Sequence, residues 1–295
     1  MNLTKLQVFN GDMQNAHKYL AESEDLIRTF GLPKRIKSPK VSKLHHIFSY
    51  LRIIQESTSV IWMNVPNEVQ HLRSNPKEHL QCSQMWVEDE EPEDTEENSL
   101  FVSIYQLPTT LLSLLSQTSS LCKQLQQGQS LSPEFPRRCQ VVEDRIFKWK
   151  APQTLAFSDT WDTPSNPSAH IVAATYLALI VHFQRQIRNT DPRVLQHYVL
   201  RAADHLLAHE QLKSTLQMAM APFPWPCFIV GCESYENNAR QKIDRYLEIV
   251  RSYNLGNLVE TEKVIHEVWR RQDLGRSDQR WDDVLRDWKM RIVLT

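Results

Sequence analysis

Residues Phe223-Pro-Trp-Pro-Cys-Phe-Ile-Val-Gly-Cys-Glu233 constrain the fold more than any other stretch. Pro222, Pro224 and Pro226 argue against a continuous helix across its first half. Cys227 to Val230 follow without a polar break, so nothing on this run can face water at low cost. Gly231 suits a close approach of two backbones or a turn. After Glu233 the pattern becomes helical, with Ala239, Ile243, Tyr246, Leu247 and Val250 at intervals of three and four. The stretch therefore reads as a buried connector feeding a core helix. Cys227 and Cys232 invite a thiol-pair or metal reading, but their spacing fits no usual zinc site.

A buried connector needs a core around it, and the rest of the chain supplies helical material. Apolar residues make up 41% of 295 positions, and Gly occurs only 6 times, which disfavours an all-β fold rich in tight turns. Asp12 is placed to cap a helix whose apolar positions are Ala16, Tyr19, Leu20, Leu26, Ile27 and Phe30, ended by Gly31 and Pro33. Ser38-Pro39 opens a second helix expected to run to about Val65, where Pro66 stops it. Pro108 opens a third with a leucine stripe from Leu111 to Leu125. A short helix from Pro136 places Val142, Ile146 and Trp149 together. From Ser168 a helix apolar on most faces belongs at the centre of a helical assembly, and it is too short for a good membrane span. Asp191-Pro192 caps the next. Two further helices follow Gly256 and Ser277, and the chain closes on Ile292-Val-Leu294. The expected fold is all-α: a single irregular multi-helix array of roughly eight to ten helices, spanning 1-295.

Charge is uneven within a net −1. Residues 88 to 97 hold eight acids and no base, leaving 34 basic and 27 acidic residues elsewhere. The surrounding segment, 67-98, is expected to be a disordered acidic insertion, because self-repulsion opposes packing. Trp86 and Val87 beside these acids also fit an activation-type contact. The surplus of base elsewhere is too modest and too dispersed to imply nucleic-acid binding. Five scattered cysteines suit reduced thiols in the cytosol or nucleus, and the N-terminus lacks the pattern of a secretory signal.

Histidines offer the main route to chemistry. His45 and His46 are adjacent and point about 100° apart on a helix, which is poor chelating geometry. His205 and His209 share a helix face, but Glu210 follows the second rather than the first, unlike a metalloprotease helix. Both are expected on a polar face toward solvent. No Gly-rich phosphate loop, nucleophile elbow or fixed-period repeat occurs. No catalytic, cofactor-binding or metal residue is assigned, and no cofactor or enzyme activity is expected. The rival reading is a helical metal-dependent hydrolase using His45, His46, His205 and His209.

Several strings together resemble one family. Trp225-Pro-x-Phe-Ile-x-Gly-Cys-Glu233 is similar to a signature in the regulatory region of fungal zinc-cluster transcription factors, of the arginine-metabolism and GABA-regulator class. Further matches fall in order: Phe9-Asn-Gly-Asp12 with His17 and Glu22, Leu44 to Arg52 with Glu56-Ser-Thr58, and Tyr105 through Pro108 and Leu111 to Thr118. Arg138-Cys139 with Glu143 to Trp149, Asp191 to Gln196, Val268-Trp-Arg270 and Trp281 with Val284 continue the series. The resemblance implies a nuclear transcription-regulatory module acting through protein partners or a full-length relative, with response to metabolites. The family's DNA-binding head needs paired C-x-x-C motifs, and this chain has none. A fragment, a truncated product and a head-less regulator all fit that departure. No sequence-specific DNA binding by the chain itself is expected.

Overall fold

The computed structural model describes residues 12–30, 39–60, 107–127, 132–152, 166–218 and 220–294. The acidic insertion and the pre-helix segment around Tyr105 lie outside the described residues. Among the described residues there are ten α-helices and one 3₁₀ turn, with no strand. In chain order these are α1 (Met13–Phe30), α2 (Pro39–Ser57), α3 (Thr109–Gln126), α4 (Phe135–Lys148) and α5 (Pro167–Gln186). The 3₁₀ turn Pro192–Leu195 precedes α6 (Gln196–Thr215), α7 (Pro224–Cys232), α8 (Asn237–Arg251), α9 (Gly256–Asp273) and α10 (Trp281–Asp287). No described helix is long and apolar enough to cross a membrane.

Helix α5 is the axis of the array. Asn166 accepts the backbone N–H of Ser168 at 2.9 Å, and Pro167 takes the first helical position, where its missing N–H costs nothing. Seventeen of its twenty residues are buried. That is possible only because α3, α4, α6 and α7 all lie against it. Each large apolar side chain so buried contributes about 1.5–3 kcal/mol before entropy is charged. Helix α6 lies along α5 on one side and meets α8 on its other side. Helices α9 and α10 follow on the far side of α7, and α1 and α2 join the array through α3. The tail Ile292-Val-Leu294 is buried, and Val293 meets Ala16 of α1.

Two expected boundaries differ from the structure. Helix α2 stops at Ser57 rather than near Val65. Thr58 and Ser59 close onto Gln55 and Glu56 with i,i+3 bonds, a tightened last turn. Ser57 turns its hydroxyl back to the Ile54 carbonyl at 2.6 Å, and Ser-Thr-Ser-Val has low helix propensity. The second difference lies in the motif itself. Residues 224–232 are a helix, not an irregular connector. Pro224 and Pro226 sit in the first turn, where backbone N–H groups have no intrahelical acceptor, so neither proline removes a bond.

Candidate functional site

The motif helix α7 is wholly buried, from Pro224 to Cys232. Its indole N–H and its last carbonyls bond to neighbouring helices. The Trp225 indole N–H donates to Ser57 Oγ at 2.7 Å, which ties the motif to the end of α2. Trp269 of α9 donates from Nε1 to the Gly231 carbonyl at 2.8 Å. A Cβ at Gly231 would stand 2.6 Å from Ile265 Cδ1, so the close approach expected of this glycine is real.

The residue after α7 carries the only acid of the motif. Glu233 accepts from Arg185 Nε at 2.6 Å, and both side chains are buried. Burial pushes the Glu233 carboxyl up, opposed by the charges of Arg185 and Arg280. Arg185 also donates to the Thr190 carbonyl at 2.5 Å, beyond the end of its own helix. Gln196 completes the junction: its Nε2 donates to the Glu233 carbonyl at 2.9 Å, and its Oε1 accepts from the backbone N–H groups of Tyr235 and Glu236. The motif's end is thereby locked to the α5–α6 turn.

His182 of α5 lies between Trp225 and Trp281, with ring centroids 6.0 and 6.4 Å away. Neither ring nitrogen has a hydrogen-bond partner among the described residues. Burial, followed by the Arg280 charge, lowers its pKa to about 3, so the ring is neutral at physiological pH.

A second polar cluster lies where α5 begins and α6 ends. His205 and His209 are buried, at 6% and 2% exposure, and do not face solvent as their spacing suggested. Helix α6 is covered by α5 on one side and α8 on another, so its second face is an interior face. His205 Nδ1 lies 2.9 Å from His170 Nδ1, and His209 Nδ1 donates to the Pro167 carbonyl at 2.8 Å. Lys213 donates to both carboxylate oxygens of Glu210 at 2.9 Å, and Tyr253, just past the end of α8, adds a third donor at 2.9 Å. Every strong group here is matched by another within the fold.

Among the described residues no three His, Cys, Asp or Glu side chains are grouped to hold a metal ion. His205 pairs with His170 rather than presenting a face with His209, and the side chains of His45 and His46 lie outside the described residues. Cys227 and Cys232 are free and buried, and burial pushes both thiols up. The Cys122 thiol is likewise raised, to about 12, so none of these is a thiolate nucleophile at neutral pH. Sequence reasoning missed Arg185, His170, Glu210 and Lys213. The Glu210–Lys213 spacing is a legible ion-pair signal, whereas Arg185 and Glu233 stand 48 residues apart and meet only in the fold.

Arginine metabolism regulation protein II of Saccharomyces cerevisiae is similar to this chain, at 25% identity over 211 residues. That alignment covers 68% of this chain, which spans only 24% of the length of the relative. No solved structure matches. The family profile described as the fungal specific transcription factor domain matches residues 1–294. Across nearly its whole length, therefore, this chain belongs to the fungal-specific transcription factor domain family.

Proposed function

We propose that the chain is the regulatory module of a zinc-cluster-type transcription factor, working in the nucleus through protein partners rather than by reading DNA itself. The matching family is described as a transcription factor domain and the yeast relative is named a regulation protein, which supports a regulatory role over a catalytic one. The observation that carries the reading is the fate of the motif: Trp225, Gly231, Cys232 and Glu233 are all committed to internal contacts. A residue set used this way shapes a domain and leaves its outer surface for partners. A metabolic input belongs to the same reading, supported by the relative's name as a regulation protein of arginine metabolism.

Sequence-specific binding needs side chains placed at base edges as well as phosphate contacts. The chain has no C-x-x-C pair to build the family's zinc-cluster reader. Selection of random duplexes with the purified chain at physiological salt tests the point. The expected result is no enriched site. One defined site, retained against competitor DNA, would overturn the partner-borne reading.

A further inference from the structure

Helices α3 and α4 pack antiparallel at one side of the array, with Gln124 beside Arg138, Gln117 beside Arg145 and Thr110 beside Trp149. Helix α4 buries Phe135, Cys139, Val142 and Ile146 on one face. Its opposite face exposes Val141, at 42%, with Arg137 and Arg138 one turn before, Arg145 one turn after and Lys148 two turns after. Phe147 is 48% exposed on the same helix, and Lys150 follows its end.

This surface is cationic by construction. Helix α3 contains no acidic residue. On α4, Glu143 is turned to Arg188, just past the end of α5, at 2.5 Å, which leaves Asp144 as the exposed acid between the cations, with Glu134 at the start. Arg138 is held by a neutral amide, which fixes its position without cancelling its charge.

We infer that the outer face of α4 is a docking surface for an acidic peptide segment of a partner protein that carries apolar side chains among its acids. The inference rests on the reading that this chain works through proteins, and it names where and with what chemistry. Cations around exposed Val141 match a ligand that carries acids beside an apolar side chain. A nucleic-acid backbone would make no use of Val141 and would meet Asp144.

The test uses the whole chain and a labelled synthetic peptide with the sequence of residues 84–98, which joins Trp86 and Val87 to eight acids. Fluorescence anisotropy should show saturable binding that weakens as salt rises from about 50 to 200 mM. The double variant Arg137→Glu/Lys148→Glu should weaken it by roughly tenfold or more, while Arg245→Glu on α8 leaves it unchanged. Val141→Ser should weaken it at unchanged salt dependence, which keeps the test decisive if the double variant melts early. No saturable binding, or equal loss in Arg245→Glu, overturns the proposal. So does binding that appears only once Glu88, Asp89, Glu90 and Glu91 of the chain are neutralised, since the chain's own acids then hold the surface. Random duplex DNA that displaces the peptide and loses affinity in the same double variant gives the surface to nucleic acid. A failure here with no enriched site in the duplex selection removes this surface and leaves the regulatory reading standing.

Discussion

Arg185 Nε donates to Glu233 Oε2 at 2.6 Å in the interior, joining the end of the central helix to the end of the motif helix. Removing one partner of a buried ion pair leaves the other charge unpaired, at a cost of about 3–5 kcal/mol. Arg185→Met should therefore destabilise the chain by that amount in urea unfolding. Replacing both residues by Met should recover most of the loss, because the desolvation cost disappears with the pair. A double variant as unstable as the single one would mean that the pair has a role beyond mutual neutralisation.

Gly231 supports a second expectation. Alanine favours a helix over glycine by about 1 kcal/mol, but the added Cβ would meet Ile265 Cδ1 at 2.6 Å in a fully packed core. Overpacking of this kind costs about 1–3 kcal/mol. Gly231→Ala should lower the melting midpoint, and adding Ile265→Val, which deletes the clashing atom, should restore part of it. Additive losses in the two substitutions would show that the close approach is not what the glycine serves.

His182 predicts the response to acid. Its folded pKa of about 3 lies below the ordinary histidine value, chiefly through burial. As pH falls through about 6.5 the unfolded chain takes up a proton that the folded chain refuses. Its contribution is thus complete at neutral pH and above, and is lost as pH falls toward 3, by about 2 kcal/mol already at pH ~5. Burial lowers His209 as well, and it acts with the same sign. His182→Leu should therefore narrow the stability difference between pH ~8 and pH ~5 by about 2 kcal/mol. Parallel pH profiles for the two proteins would contradict the assignment.

Much of the fold was legible because single-faced helices write their burial as a period. Ala239, Ile243, Tyr246, Leu247 and Val250 were read as one face and are all buried on α8. The run Cys227 to Val230 was expected inside and is. Periodicity failed on α6, which has neighbours on more than one side and so buries histidines that looked like an outer face. The prolines of the motif misled for a different reason. Their effect depends on whether they fall inside a helix or in its first turn, and the start of α7 is set by the packing of Trp225 against distant helices. The buried pairs Arg185–Glu233 and His170–His205 join residues far apart in sequence, beyond the reach of any local pattern.

The central claim is that this domain regulates transcription through partners and leaves DNA reading to another module. Fusing the whole chain to an unrelated DNA-binding domain, and measuring a reporter under that domain's site in fungal cells, tests it most directly. The account predicts that the tethered chain changes reporter output relative to the DNA-binding domain alone, and that Arg185→Met, which loosens the fold, abolishes the change. A folded, nuclear fusion that leaves the reporter at the level of the DNA-binding domain alone would contradict it.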